Sequence, residues 1–293
     1  MGKVFVFGSL NMDLVINSPY LPKKGETMYG SGFMTNPGGK GANQAAAAGK
    51  LGAEIYMGGA VGDDSFGTQL LDNLRRFSVN VDAVRVVENC ATGIAVIVVI
   101  DGDNRIILDG GANRRVTPAD ADRLLENAGA GDIFLCPLEN PIPVLGYALE
   151  TASRKGMYVV LNPAPMNPEI VPYLPCVDML IPNETEFAAL CGDKLTEGAE
   201  KLIAMGVKDV VVTLGSKGYC YISKGEMVCE DCIKVPVVDT TAAGDTFCGA
   251  LCTELSMGKS VPQALSFANR AAAVAVTRKG AQSAIPTSAE VQA

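Results

Sequence analysis

The sequence predicts an α/β fold in which a doubly wound, mostly parallel β-sheet lies between two layers of helices. Short apolar runs alternate along the chain with longer stretches of helical period, and this alternation is typical of parallel sheets with helices on both faces. Of the 293 residues, 48% are hydrophobic and 19% are charged, so a sizeable core can form. Polar and glycine-rich turns follow several of the apolar runs, at the strand ends where parallel sheets bind nucleotides.

Nine apolar runs are expected to be strands, and eight stretches of helical period separate or follow them. The expected strands are residues 4–7, 55–58, 94–100, 133–135, 158–161, 179–181, 210–213, 219–222 and 235–238. The expected helices are residues 42–51, 67–77, 118–127, 143–155, 184–190, 196–205, 243–257 and 261–277. No internal repeat is visible, so we expect residues 1–293 to form one domain that ends, over residues 284–293, in a short helix or a frayed end.

Two regions interrupt this alternation. Residues 14–36 are turn-rich and have no helical period, and residues 92–110 read as a hairpin with its turn at residues 101–104. Antiparallel pieces inserted in an α/β chain either form a lid over the site or extend the main sheet as edge strands. Periodicity alone does not distinguish the two arrangements.

The composition excludes several functional classes. The net charge is 24 − 32 = −8, which argues against nucleic acid as a partner but not against ATP. The chain contains no histidine, so histidine bases, His-based triads and histidine metal ligands are excluded. The chain starts without a signal peptide and no apolar run reaches about 18 residues, so we expect a cytoplasmic protein without a membrane partner.

The nine cysteines form no evident disulfide framework, and we expect them to be reduced. Cys229 and Cys232 make one C-x-x-C pair, which without a second pair or a histidine is expected to be structural rather than a zinc site. Cys248 and Cys252 are four residues apart on an expected helix and should pack in the core.

The segment at residues 239–251, DTTAAGDTFCGAL, can hold an anion site and a base in one turn. Ala242, Ala243 and Gly244 are small, so their backbone N–H groups can approach an anion at the start of the following helix. Asp245 stands in the same turn, where a base would lie beside a bound phosphate, and this suggests phosphoryl transfer to a hydroxyl. The alternative is an ordinary strand-to-helix turn in which the Asp245 charge suits the helix dipole.

Two N-terminal segments indicate a polyhydroxyl ligand. Asn11 and Asp13 follow the first strand and, being two residues apart in extended chain, share a face on which an amide and a carboxylate can grip sugar hydroxyls. Residues 38–44, GGKGANQ, add Lys40 and Asn43 as donors behind glycines that allow close backbone approach. A polar turn and a common Gly-rich helix start are the alternatives.

Two further turns suggest nucleotide and metal contacts. Asn183 and Glu186 are three residues apart at a helix start, where they could hold the water shell of Mg²⁺ or simply form a capping box. Residues 213–218, TLGSKG, end a strand and could pass over nucleotide phosphates or form a plain hairpin turn.

Together these segments resemble the ribokinase-like (PfkB) family of sugar kinases. The resemblance covers residues 4 to about 286, and its specific parts are GGKGANQA, DTTAAGDTF and the TRKGAQ of residues 277–282. It implies the three-layer ribokinase-like fold, a small β-sheet lid over residues 14–36 and 92–110, and a homodimer that forms through this lid. It also implies transfer of phosphate from ATP to the 5-hydroxyl of D-ribose.

The resemblance assigns roles to individual residues. In it, Asp245 is the general base, and the backbone N–H groups of Ala242, Ala243 and Gly244 form the anion hole. The residues that would bind the sugar are Asn11, Asp13, Gly39, Lys40, Asn43, Glu139 and Asp245. The residues that would bind ATP are Asn183, Thr213, Gly215, Gly244 and Asn269, where the alternative for Asn269 is an exposed helix position.

The resemblance also implies two metal ions. Glu186 would hold Mg²⁺ through water. A potassium ion would lie beside the anion hole, at Asp239, Thr241, Ala275, Arg278 and Gly280. The chain departs from the family at the last cation position, where a serine is common and this sequence reads Ser283 and then Ala284.

Other functions remain open at this point. Another PfkB kinase would act on deoxyribose, a ketose or a nucleoside, and a substrate panel would identify it. A non-catalytic sugar-binding protein could have kept the fold, although an intact Asp245 turn argues against this. A purely structural role would leave the motifs at several strand ends without explanation.

Overall fold

The computed structural model describes residues 2–292 and contains two β-sheets and nine helices. The strands are β1 (Val4–Phe7), β2 (Asn11–Asn17), β3 (Ser31–Gly38), β4 (Ile55–Gly62), β5 (Val79–Val87), β6 (Gly93–Ile100), β7 (Asp103–Asp109), β8 (Ile133–Pro137), β9 (Tyr158–Asn162), β10 (Met179–Leu180), β11 (Asp209–Thr213), β12 (Tyr219–Ser223) and β13 (Glu226–Glu230). The helices are α1 (Lys40–Lys50), α2 (Ser65–Arg76), α3 (Pro118–Leu125), α4 (Ile142–Arg154), α5 (Glu184–Cys191), α6 (Leu195–Ala204), α7 (Ala243–Ser256), α8 (Val261–Ala275) and α9 (Ser288–Gln292). Short 3-10 helices cover Gly111–Arg115, Pro168–Cys176 and Gly215–Lys217.

The main sheet has nine strands in the order β13-β12-β11-β10-β9-β8-β1-β4-β5. The seven strands from β11 to β5 are parallel, and β12 and β13 add an antiparallel hairpin at one edge. This confirms the predicted doubly wound, mostly parallel α/β fold.

Helices cover both faces of the main sheet, and the period of two in β1 shows how. Val4 and Val6 point into a core formed with α1, α2, α7 and α8, whereas Phe5 and Phe7 point into a second core formed with α3, α4, α5 and α6. All four side chains are buried. The central strands are therefore continuous apolar runs in the sequence, as expected for parallel strands covered on both faces.

A second, four-stranded sheet is formed by the two regions that interrupt the alternation. Its order is β3-β2-β6-β7, with β2 parallel to β6 and the other neighbours antiparallel. These strands do not extend the main sheet, so the predicted small sheet is confirmed and the edge-strand alternative is wrong. The hairpin at residues 92–110 is present as β6 and β7.

The expected strand at residues 235–238 is wrong. The segment contains Pro236, which has no N–H to donate to a ladder, and Val237 and Val238 are exposed rather than buried. Val238 N–H donates to the Val276 carbonyl at 2.8 Å, so the segment crosses the end of α8 instead of entering a sheet. Conversely, β5 and β13 were not predicted, although β5 alternates apolar and polar residues in part.

The cysteine expectation needs one correction. Cys220 and Cys229 form a disulfide between directly opposed residues of β12 and β13, with their Cα atoms 4.0 Å apart. The register of this hairpin brings the two sulfurs together, and no spacing in the sequence reveals that register. Cys229 is therefore not half of a free pair with Cys232, whereas Cys248 and Cys252 are buried as predicted.

No helix among residues 2–292 combines the length and apolar character needed to cross a membrane.

Candidate active site

The predicted sugar-binding residues meet where the carboxyl end of β1 lies against the start of α1. Gly39 precedes α1 with a φ of 89°, and a Cβ at this position would lie 2.7 Å from the backbone nitrogen of Asn11. The backbones of Gly8 and Gly41 also lie close to each other, since a Cβ on Gly41 would approach the Gly8 carbonyl carbon to 2.6 Å. These glycines bring the start of α1 against the β1–β2 connection.

Asp245 lies in the first turn of α7 and is 6% exposed. Its Oδ2 accepts a hydrogen bond from Asn43 Nδ2 at 3.0 Å, and its Oδ1 accepts one from Gln44 Nε2 at 3.0 Å. Both oxygens of the carboxylate are thereby oriented by side chains of α1.

The backbone of the turn before Asp245 has a specific shape. Ala242 adopts the left-handed conformation with a φ of 59°, and the Ala243 N–H closes the turn by donating to the Thr240 carbonyl at 3.2 Å. Gly244 is exposed and a Cβ there would meet nothing within 4 Å. The positive end of α7 thus faces open space, which suits an anion.

Three carboxylates and one lysine share this region. Glu139 Oε2 accepts hydrogen bonds from the Lys40 backbone N–H at 2.9 Å and from Ser9 Oγ. Burial raises the pKa of Asp13 to about 7, and the negative charges of Glu139 and Asp245 act in the same direction. The negative charge of Asp245 raises the pKa of Lys40, although burial opposes this, so Lys40 is the cation of the cluster.

Asn11 is held by a residue that the sequence did not single out. Its Oδ1 accepts a hydrogen bond from Asn113 Nδ2 at 2.8 Å, and Asn113 also exchanges hydrogen bonds with the Leu10 backbone at 3.0 and 2.9 Å. Asn113 is 1% exposed and lies 102 residues from Asn11 in the chain. A single asparagine in a turn gives no sequence signal for such a contact.

A polar cleft of about 490 Å³ opens beside this cluster, and Asn11, Asn113 and Glu139 lie in its wall. Arg114 and Asn140 also line it, and neither was predicted. Of the predicted sugar-binding residues, Asn11 and Glu139 therefore border on a cleft with mainly polar walls. The others, Asp13, Gly39, Lys40, Asn43 and Asp245, do not line it.

A second cleft, of about 520 Å³, has the α7 turn in its wall, at Ala243 and Gly244. It is lined by all five residues predicted to contact ATP, Asn183, Thr213, Gly215, Gly244 and Asn269. Apolar side chains complete it, among them Val235, Val237 and Phe247. Such walls suit a ligand that has a flat apolar base and a phosphate chain, with the phosphates at the start of a helix.

Asn269 is buried, so the alternative of an exposed helix position is wrong. Its Nδ2 donates to the Asp231 carbonyl at 2.9 Å and ties α8 to the segment that follows β13. Only part of this amide can therefore contact a ligand in the cleft.

The Asn183–Glu186 pair forms a reciprocal capping box, which was the alternative to a metal role. Asn183 Oδ1 accepts from the Glu186 N–H at 2.8 Å, and Glu186 Oε2 accepts from the Asn183 N–H at 2.9 Å. Burial raises the pKa of Glu186, against the opposing effects of the Asn183 N–H and the Lys40 charge. The capping uses one oxygen of each side chain, so Glu186 Oε1 is available for a water.

The predicted cation positions form a loop around Asp239. Its Oδ1 accepts from the Thr241 N–H at 2.9 Å and from Thr241 Oγ1 at 2.6 Å, while its Oδ2 accepts from the Gly280 N–H at 2.9 Å. These hydrogen bonds outweigh burial and lower the pKa of Asp239. The Arg278 guanidinium pairs with Glu290 at 2.6 Å. Because a guanidinium is itself a cation without an acceptor, Arg278 could offer a bound cation only its backbone carbonyl.

The last cation position carries no side-chain ligand. Ala284 is buried and presents a methyl group. Ser283 Oγ donates to the Lys279 carbonyl at 3.2 Å and lies against Gly280. Within residues 2–292, no cluster of three or more acidic, cysteine or histidine side chains could hold a metal ion.

Comparison with known proteins places these observations in a family. The profile of the pfkB family carbohydrate kinases matches residues 1–288. A ribokinase of Schizosaccharomyces pombe is 40% identical over 308 residues, covering 99% of this chain and 97% of that protein. A deoxyribokinase of Salmonella typhimurium is 34% identical over 292 residues, covering 97% of this chain and 95% of that protein.

Solved structures agree with these sequence relatives. The structure of the Arabidopsis thaliana ribokinase complexed with ribose and ATP has a TM-score of 0.91 to this chain at 35% identity. The superposition covers 100% of this chain and 98% of that chain.

Proposed function

Because this chain belongs to the pfkB family of carbohydrate kinases, we propose that it transfers the γ-phosphoryl group of ATP to the 5-hydroxyl of D-ribose. One observation supports this most directly, namely that Asp245, although it lines neither cleft, is connected to residues of both. It is hydrogen-bonded to Asn43 of α1, whose first residue Lys40 contacts Glu139 in the polar cleft. Its neighbour Gly244 lines the apolar cleft. A sugar hydroxyl and a terminal phosphate placed in the two clefts would meet at Asp245.

The residues around this meeting point have complementary tasks. Asp245 accepts the proton of the 5-hydroxyl as that oxygen attacks the γ-phosphorus and the bond to ADP breaks. The N–H groups of Ala242 and Gly244 in the α7 turn stabilise charge on the phosphoryl oxygens. The Ala243 N–H, which donates to the Thr240 carbonyl in this structure, would join them only by giving up that hydrogen bond. The Lys40 ammonium provides a positive charge in the same region.

The Asn183–Glu186 pair is proposed to hold Mg²⁺ through water. Mg²⁺ neutralises and bridges the phosphates of ATP when it is bound. Oxygen donors suit this ion. Asn183 lines the apolar cleft, and the capping box holds the Glu186 carboxylate next to Asn183. In this arrangement the capping box fixes Glu186 rather than competing with the metal role.

The Asp239 loop is proposed to hold K⁺ with backbone oxygens. The donors would be the carbonyls at Ala275, Arg278 and Gly280, together with oxygens of Asp239 and Thr241. Ala284 supplies no side-chain oxygen, so one ligand would be water. This substitution predicts weaker activation by K⁺ than a serine at that position would give.

The small sheet is proposed to act as a lid and as the contact of a homodimer. Cross-strand partners share a face of a sheet, and the register puts Met34, Ile106 and Leu108 on the face that also carries Asp13. These three apolar side chains are half or more exposed. A second copy that covers them would bury the outer part of the sugar-facing surface.

The experiment is a coupled ADP-release assay with ATP and Mg²⁺ across D-ribose, 2-deoxyribose, fructose and adenosine, with and without K⁺. D-Ribose is expected to give the highest kcat/KM. A preference for 2-deoxyribose, the substrate named by the Salmonella relative, would replace the sugar and keep the mechanism. Absence of sugar-dependent ADP release would favour a non-catalytic binding protein.

The role of Asp245 is tested with Asp245→Asn. We expect turnover to fall roughly 10²–10⁴-fold, because the amide cannot accept the hydroxyl proton. Asp193→Asn, at an exposed aspartate outside both clefts, is the matched control and should retain full turnover. Near-normal turnover in Asp245→Asn would remove Asp245 from the role of base.

A further inference from the structure

The proposed base is surrounded by amide side chains that have no part in the chemistry described above. Gln44 is completely buried and Gln282 is 3% exposed, and both lead by hydrogen bonds to Asp245. An amide has a donor end and an acceptor end of nearly the same shape. Which end faces the carboxylate therefore depends on what holds the other end.

One chain of hydrogen bonds starts at a backbone carbonyl. Asn162 Nδ2 donates to the Ile181 carbonyl at 2.8 Å, and because a carbonyl only accepts, Asn162 Oδ1 must face away from it. That oxygen accepts from Gln44 Nε2 at 3.1 Å, and the same nitrogen donates to Asp245 Oδ1 at 3.0 Å. Asn162 thus directs both hydrogens of the Gln44 amide, one of them towards the base.

This orientation costs stability. Gln44 Oε1 is buried and has no hydrogen-bond partner within residues 2–292. A buried acceptor without a partner destabilises a fold. In exchange, the Gln44 amide donates a hydrogen bond to the Asp245 carboxylate.

A second chain of hydrogen bonds reaches Asp245 from the surface of α2. Asn73 Nδ2 donates to Gln282 Oε1 at 2.6 Å, and Gln282 Nε2 donates to Asn43 Oδ1 at 3.1 Å. Asn43 Nδ2 in turn donates to Asp245 Oδ2 at 3.0 Å. Lys50 Nζ, 3.4 Å from the Gln282 carbonyl, holds the backbone of this loop to α1. Gln282 and Asn43 each accept from the outer side and donate towards Asp245.

We propose that Asn162, Gln44, Gln282 and Asn73 are positioning residues that form two directional amide relays ending on the two oxygens of Asp245. The relays keep donor ends aimed at the carboxylate and fix its plane. One lone pair on each oxygen then remains for the sugar hydroxyl. This inference rests on the proposed role of Asp245 as the base.

The direction of the second relay can be reversed from its outer end. Asn73 is partly exposed on α2, so substitutions there are expected to leave the fold intact. In Asn73→Asp the carboxylate can only accept, which favours Gln282 with its Nε2 turned outward and Asn43 with its Oδ1 turned towards Asp245. Asn73→Ala removes the same donor without imposing the reversal, and it is the matched control.

We expect kcat to fall about tenfold in Asn73→Asp, and less in Asn73→Ala, because an oxygen facing the carboxylate repels it. Gln282→Met deletes the relay at similar volume, and its kcat should lie between those of wild type and Asn73→Asp. The KM for ATP and the melting temperature should stay close to wild type in the two Asn73 variants. In an Asp245→Asn background, Asn73→Asp should cause no further loss, because the relay acts only through the base.

Equal losses in Asn73→Asp and Asn73→Ala, or no loss in any of the three variants, would overturn the relay. A further loss in the Asp245→Asn background would show that Asn73 acts by another route, and would also overturn it. These failures differ from failure of the proposed function, which would appear as near-normal turnover of Asp245→Asn alone.

Discussion

Asp13 is a carboxyl group that the folded chain holds in an unfavourable environment. Burial raises its pKa to about 7, with further contributions from the charges of Glu139 and Asp245. In the unfolded chain the pKa of an aspartate is about 3.9. The folded state therefore binds the Asp13 proton more tightly. The stability that this proton provides is full below about pH 4 and is lost as the pH rises through about 7.

This linkage predicts a pH-dependent gain of stability in Asp13→Asn. At pH 8 the variant should unfold with a free energy about 1–3 kcal/mol higher than wild type, because the buried charge is gone. At pH 5 the difference should be smaller, and it should disappear only below about pH 4, where the carboxyl is protonated in the unfolded chain as well. Urea unfolding at the two pH values measures this, with exposed Asp103→Asn in the same small sheet as the control. An equal difference at both pH values would refute the pKa assignment.

At the residue scale, local motifs predicted more of the site than any other signal. Lys40, Asn43 and Asp245 lie in short segments whose glycines and polar residues are next to one another in the chain. Asn113 and Gln282 could not be predicted in this way, because their contacts with Asn11 and Asn43 join residues 102 and 239 positions apart. Only the packed fold creates those contacts.

At the element scale, two small residues around the first turn of α7, Ala242 and Gly244, differ in whether the fold itself needs glycine at their position. Ala242 has a positive φ, which glycine would adopt with less strain. Gly244, in contrast, has ordinary helical geometry, and a Cβ there would meet nothing within 4 Å. Folding does not require glycine at position 244, so its small size points to the space needed by a ligand.

Gly244→Ala should therefore keep the fold and impair the use of ATP. Alanine in a helix is favoured by about 0.5–1 kcal/mol over glycine, so the melting temperature should stay the same or rise. The added methyl group should raise the KM for ATP or lower kcat by about tenfold, because it keeps phosphate away from the backbone N–H groups. Gly129→Ala, at another position where a Cβ meets nothing within 4 Å, is the control that should leave kinetics unchanged. Unchanged kinetics in Gly244→Ala would mean that phosphate does not approach this turn.

The predicted and observed elements differ where tertiary contacts override a local pattern. The apolar run at residues 235–238 resembles a strand, but Pro236 cannot donate to a ladder, and the segment instead lines the apolar cleft at Val235 and Val237. The helices and the central strands were predictable because their apolar periods match the two buried faces of the sheet. The Cys220–Cys229 disulfide was not predictable, because it depends on the register between β12 and β13.

At the scale of the whole molecule, the two sheets have different solvent exposure. The central strands of the main sheet are covered on both faces, although its edge strand β13 is largely exposed. In the small sheet, the edge strand β7 is exposed along its whole length. Ile106 and Ile107 are both apolar and exposed, but the alternation of the strand places them on opposite faces. Only Ile106 lies on the face of Asp13, which is the face proposed to meet a second copy.

This difference gives a test of the proposed homodimer with a control on the neighbouring residue. Ile106→Lys would bury a charge in the interface, so it should convert the dimer to monomer in sedimentation velocity at micromolar concentration. Ile107→Lys, which adds the same charge on the opposite face, should remain dimeric. Loss of the dimer in both variants would indicate that the strand pairs through its edge rather than through one face. A dimer that survives Ile106→Lys would place the contact elsewhere on the molecule. If the partner also covers the sugar-facing surface, Ile106→Lys should raise the KM for the sugar more than the KM for ATP.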